Sequence, residues 1–124
     1  METNIDAEKF QSVVDLIVES WRLNRHIKNL AERIADPKIQ KKSFNQVARF
    51  EKHLNSTLDA LNLSVIDFTG EEFEDGLPIL PINLGDFDAN DVLFVEMMME
   101  PTVKVANTTE IIRKGAAVLG RKSE

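Results

Sequence analysis

The sequence predicts an α+β fold: an N-terminal helical hairpin that pairs into a dimeric four-helix bundle, followed by a small antiparallel β-domain. Three observations carry that reading. In the first half, apolar side chains recur at spacings of three and four, the period of an amphipathic helix. In the second half, short runs of Val, Ile, Leu and Phe alternate with turn residues, the signature of strands. The charge balance also changes between the halves: residues 1–63 hold 10 basic and 9 acidic side chains, residues 64–124 hold 5 and 12. Between Ser64 and Val103 there are ten acids and no Lys or Arg. The sequence therefore divides into a helical segment, residues 1–62, a β-domain, residues 63–120, and a frayed tail, residues 121–124.

Helix one is expected over residues 4–35. Val13, Leu16, Ser20, Leu23, Ile27, Leu30 and Ile34 form a heptad seam, interrupted by one polar residue. Phe10, Val14, Ile17 and Trp21 form a second stripe beside it, making the apolar face wider than a two-stranded coiled coil needs. Thr3 with Asp6 offers a capping-box variant at the start, and Asp36-Pro37 closes the helix, because the residue before proline is driven out of the αR region. Two starts are available to helix two. Asp36-Pro37 makes an N-cap and first-turn proline, while residues 43–46 (Ser-Phe-Asn-Gln) form a capping box further on. Phe44, Val47, Phe50, Leu54, Leu58 and Leu61 then keep helical spacing to about residue 62.

One hairpin of this kind cannot cover both of its broad apolar faces, and two hairpins can, as a four-helix bundle. Homodimerisation is therefore expected through Val13, Leu16, Leu23, Ile27, Leu30 and Ile34 of helix one with Leu54 and Leu58 of helix two.

Strands are expected at residues 63–68, 92–99, 102–105, 110–113 and 116–119. A sixth run, residues 79–84, contains Pro81 and follows Pro78, which confines it to an edge strand or an extended loop.

Composition narrows the function classes. A formal net charge of −6 argues against a nucleic-acid partner. With no cysteine there is no disulfide framework, thiol nucleophile or thiolate metal site. The acidic start lacks a secretory pattern and the longest near-continuous apolar run, residues 92–99, is broken by Glu96, well short of the ~18 residues of a bilayer span. A cytoplasmic chain with no membrane partner is expected.

Residues 86–91 (Asp-Phe-Asp-Ala-Asn-Asp) place oxygen ligands at positions 1, 3 and 5 of a calcium loop, but Asp91 and Met97 stand where the motif needs glycine and glutamate. His26 and His53 are the only imidazoles, and neither has a histidine three or four residues away, so no zinc site is expected. Ser12, Ser56 and Ser64 lack a nucleophile-elbow motif, and neither glycine-rich phosphate loop occurs. No catalytic residue, metal or cofactor is assigned, and the chain reads as a non-enzyme. Lys38, Lys41 and Lys42 make a basic cluster at the hairpin turn, while Met97, Met98 and Met99 read first as buried core and secondly as flexible thioethers suited to a protein interface, at least one of which must leave the core in a strand unless both faces are covered.

A helical hairpin running straight into a small acidic β-domain resembles the GrpE family of nucleotide exchange factors for DnaK-type chaperones. The stretch Val65-Ile66-Asp67-Phe68-Thr69-Gly70-Glu71-Glu72-Phe73-Glu74 is similar to the family's entry into its β-domain. Asn90-Asp91-Val92-Leu93-Phe94-Val95 and Ile111-Ile112-Arg113-Lys114-Gly115-Ala116-Ala117-Val118-Leu119 resemble its later strands. The likeness spans roughly residues 15 to 120. The chain departs from the family where Leu77-Pro78-Ile79-Leu80-Pro81 replaces a His-Glu-Ala or His-Gln-Ala motif, where Glu100-Pro101 replaces Gly-Tyr, and where Thr109-Glu110 replaces Gly-Arg.

The resemblance implies a shortened, divergent exchange factor that promotes ADP release from a DnaK-type chaperone ATPase, with a GrpE-like adaptor lacking exchange activity as the alternative. Arg113 and Ile112, in the strand that best matches the family, and Met97 and Met99 are the candidate partner contacts. Arg113 and Ile112 alternate along a strand, so one of the two is expected to be exposed.

Overall fold

The computed structural model describes residues 2–122, with side chains from residue 6 onward. The chain folds into two compact units, Met1–Leu61 and Asn62–Glu124.

The first unit is a helical hairpin. Helix α1 spans Glu2–Ala31 and helix α2 spans Pro37–Ala60. Because α1 already runs at Glu2, Thr3 is not its N-cap, and the side chain of Thr3 lies outside the described residues. The other end of α1 also differs from expectation, stopping four residues before residue 35. The reason lies across the turn: the Gln40 amide donates to the carbonyls of Ala31 (3.1 Å) and Glu32 (3.4 Å), satisfying acceptors that a helix terminus leaves open. Ile34 consequently falls in the link and leaves the heptad.

Of the two available starts, α2 uses the earlier one. The Asp36 carboxylate accepts from Lys38 N (2.9 Å) and Ile39 N (3.4 Å), and Pro37 supplies a preset φ where no amide is needed. Ser43 sits inside the helix, its hydroxyl donating to the Ile39 carbonyl at 2.9 Å. At the far end Asn62, with φ of 57°, turns the chain out of the helix in the left-handed conformation asparagine tolerates.

The second unit contains β1 (Leu63–Ile66), β2 (Ile79–Pro81), a 3₁₀ turn (Leu84–Asp86), β3 (Leu93–Glu100), β4 (Thr102–Val105), β5 (Ile111–Arg113) and β6 (Gly115–Arg121). They form two three-stranded sheets, ordered β1-β4-β5 and β2-β6-β3. Pro101 joins β3 to β4 and Lys114 joins β5 to β6, so one long hairpin bends at these two residues and contributes to both sheets.

Thr102 fixes the bend. Fully buried, its hydroxyl donates to the Pro78 carbonyl (2.8 Å) and accepts from Gly115 N (3.1 Å). Gly115 is required there, since a Cβ would lie 2.6 Å from the Glu100 carbonyl oxygen and 2.7 Å from Met98 Cε. Val95, Met98, Val103, Ala117 and Leu119, with Leu63, Ile79 and Leu93, make up the core of this unit.

The β-unit is not wholly antiparallel, because β2 pairs with β6 in parallel, Ile79 opposite Gly115 and Pro81 opposite Ala117. The edge position expected for the proline-containing run is observed. Ile82 N donates to Ala117 O (2.9 Å), so alternation along the strand turns the Pro81 nitrogen to the open edge, where its missing proton breaks no ladder bond. One residue further, the Asn83 side chain extends the ladder, donating to Leu119 O (3.0 Å) and accepting from Leu119 N (2.9 Å).

The opposite edge, β3, is covered by residues 70–73: Gly70 N donates to Val95 O, Val95 N to Glu71 O and Phe73 N to Leu93 O, at 2.8–2.9 Å. Gly70 reaches this position with φ of 91°, which glycine adopts without strain. β1 ends early, at Ile66, because the Asp67 carboxylate captures Thr69 N at 2.9 Å in a local turn. β6 runs on to Arg121, so the segment expected to fray is partly strand. Arg121 pairs with Asp91 (3.2 Å) and Lys122 N donates to Val92 O (2.9 Å), while residues 123–124 lie outside the described residues.

Candidate interaction surfaces

Among the described residues, each unit presents an apolar surface to solvent. On α1 the two stripes separate. Of the second stripe Val14 and Ile17 are buried together with the neighbouring Val18, Trp21 is half-buried and Phe10 is 40% exposed, whereas Leu16 is 67% and Leu23 59% exposed, with Ile27 and Leu30 also open. These four sit at heptad spacing, and Ser20 lies among them, half-buried. Beside the stripe a shallow groove of about 250 Å³ runs between the helices, lined by Leu23, Ile27, Val47 and Phe50 with Ser20, Asn24 and Gln46 at its polar positions. The remaining seam residues divide. Val13, Ile34 and Leu54 are half-buried, and Leu58 is 6% exposed. Leu58 is therefore corrected: the chain itself buries it, and it offers nothing to a second copy.

The second surface is the outer face of the β2-β6-β3 sheet. Register defines it. The pairs Leu80 with Ala116 and Met97 with Val118 place these side chains on one side, while Ile79, Ala117, Leu119, Val95 and Met98 point into the core. Ile82, one step beyond β2 beside Val118, is 61% exposed, and Leu80 is open beside it. The Phe94 ring rests on Gly120, where a Cβ would lie 2.8 Å from two ring carbons.

A bulge in β3 between Val95 and Met97 turns Glu96 and Met97 outward in succession, and a second, between Met98 and Glu100, ends the alternation. Met97 is 43% exposed, Met98 fully buried and Met99 half-buried. Met97 and Met99 thus do not share an open face as plain alternation implies, because each bulge adds a residue to one strand only.

Arg113 is not presented freely. Its guanidinium meets Glu100 Oε1 at 3.3 Å, from β5 to the end of β3. Ile112 is half-buried as well, so neither member of that pair is exposed; the open residue of β5 is Ile111. Periodicity could not reveal this, because the β4–β5 register shifts between Val103 and Lys104 and the Arg113–Glu100 pair spans 13 positions.

The other candidates separate cleanly. In the loop at residues 86–91, the Asp91 carboxylate accepts from Asp88 N (2.9 Å) and pairs with Arg121, which also stacks over Phe87 at 5.9 Å from the ring centroid. That carboxylate is engaged by a cation of the chain itself. His26 and His53 are both exposed, and among the described residues no three His, Asp or Glu side chains converge to hold a metal. Lys38, Lys41 and Lys42 surround the exposed Ile39 in the first turns of α2. Among the described residues, no helix is long and apolar enough to cross a membrane. No protein-family model, curated protein or solved structure matches this chain.

Proposed function

We propose that this chain is a non-enzymatic, GrpE-like nucleotide exchange factor that acts as a homodimer on a DnaK-type chaperone ATPase. The observation that carries the reading is the outer face of the three-stranded sheet, where Leu80 and Met97, with Ile82 just past β2, stand open. Exposed apolar patches of this kind on folded domains mark protein-binding surfaces. The exposed stripe of Leu16, Leu23, Ile27 and Leu30 is what a second hairpin would cover, completing a four-helix bundle.

The mechanism is differential binding. A ligand that holds the open form of an ATPase more tightly than the closed form shifts the population by that difference in affinity, and ADP leaves the opened cleft faster. Stopped-flow fluorescence with labelled ADP on a DnaK-type ATPase from the same genome tests it. Faster release is the expected result, and unchanged release despite measurable binding rejects exchange activity.

A second reading, a GrpE-like adaptor that binds without releasing nucleotide, is favoured by one observation. Arg113, in the strand most similar to the family, already holds Glu100. ADP release separates the two readings, since an adaptor binds without accelerating it; Arg113→Ala tests whether this guanidinium takes part in binding, where a contact costs about 1–3 kcal/mol in calorimetry and unchanged affinity places the contact elsewhere.

A further inference from the structure

We propose that Met97 is an oxidation site, and that its sulfoxide weakens docking of a DnaK-type ATPase on the outer face of the β2-β6-β3 sheet. Three consecutive methionines with identical chemistry have unequal access. Met98 is fully buried in the core and Met99 is half-buried, while the bulge after Val95 holds Met97 43% exposed, opposite Val118. Sulfur oxidation follows access, so Met97 reacts first of the three.

The oxidant is a peroxide. A lone pair of the Met97 Sδ attacks one peroxide oxygen and the O–O bond breaks as the S–O bond forms. The departing hydroxide takes up the proton that the transferred oxygen carried, giving the sulfoxide and water. Sulfur is oxidised by two electrons and the peroxide is reduced by two. A flexible apolar thioether thereby becomes a polar group opposite Val118, on the sheet face that also carries Leu80 and Ile82 across β6 and the outward Glu96 beside it. Methionine sulfoxide reductases reverse the change, which gives the face an on and an off state. The core is spared because Met98 stays inaccessible.

The consequence for a chaperone rests on the function proposed above; the oxidation site does not, and the experiment separates them. The full-length protein is treated with dilute hydrogen peroxide, and peptide mass spectrometry follows the gain of one oxygen at each methionine. Retention on a phenyl hydrophobic-interaction column reports the apolar face, and circular dichroism reports the fold. Met97 should oxidise before Met98 and Met99, retention should shorten with the same time course at constant circular dichroism, and reductase treatment should restore it. Met97→Leu, compared only with itself before and after peroxide, should lose that shift; it keeps Met1, so any shift it retains does not belong to Met97.

Met98 or Met99 reacting as fast as Met97 overturns the proposal, as does an unchanged shift in Met97→Leu or loss of the folded spectrum in step with Met97 oxidation. Calorimetry with a DnaK-type ATPase adds the functional arm. Oxidation should weaken binding on the order of tenfold, and equal affinity before and after overturns the effect on docking. An ATPase that ignores even the unoxidised protein defeats the exchange-factor reading alone, and the column and mass readouts still decide Met97.

Discussion

Thr102 shows how much one buried hydroxyl can organise. It ties the segment before β2 to the start of β6 while sitting at the bend between β3 and β4, so three stretches distant in sequence meet at a single oxygen. Thr102→Val preserves the shape and removes both bonds, leaving the Pro78 carbonyl and the Gly115 amide unsatisfied in a buried place. The expected loss is about 1–3 kcal/mol of unfolding free energy, measured by urea titration with an unchanged slope. Gly115→Ala should do at least as much harm, because its nearest neighbour at 2.6 Å is backbone and cannot swing away. Neither residue announces its role in the sequence, since both act through partners at least 13 positions away. The same holds for Arg113, whose partner Glu100 is one of ten acids that the sequence offers without ranking. That one methionine of the run leaves the core followed from strand alternation; which one, and its separation from Met99, did not, because a bulge leaves no mark in the period-two pattern.

At the level of elements, local chemistry was a good guide wherever the controlling contact was itself local. The Asp36-Pro37 pair states the start of α2 in two residues, and the structure shows both parts in use. Asp36→Ala should therefore cost about 1 kcal/mol, read as a lower midpoint in thermal denaturation, while Ser43→Ala should be nearly silent because Ser43 is not the cap. The end of α1 was misjudged because the groups that terminate it come from Gln40, on the other helix. Strand positions followed from composition and punctuation, and Pro81 correctly confined β2 to an edge. Its parallel direction did not follow, since direction depends on which strand offers a free side. That partner is β6, more than thirty residues on, and the Asn83 side chain bonded twice to Leu119 secures the pairing.

On the scale of the whole molecule, the open question is what covers the α1 stripe. Leu16, Leu23, Ile27 and Leu30 present four large aliphatic side chains along a helix that already buries a separate stripe, and the adjoining groove brings Val47 and Phe50 of α2 to the same surface. Burying the exposed half of each such side chain is worth about 0.8–1.5 kcal/mol, and a symmetric pair of hairpins gains this on both copies' stripes against the entropic cost of association. A second copy is the partner always present at equal concentration, and heptad spacing fits a helix laid alongside. Light scattering at micromolar concentration should give twice the chain mass of 14.0 kDa. Leu23→Asp should return the chain mass with the helical spectrum retained, because a carboxylate placed in an apolar seam must give up its hydration on association. Leu58→Ala is the informative contrast. Leu58 is buried in the single chain, so its truncation should lower stability by about 2–5 kcal/mol, and any effect on the mass should follow unfolding. A wild-type protein that scatters as a monomer, or a Leu23→Asp variant that remains a dimer, would remove α1 from the interface and leave its apolar stripe to a different protein.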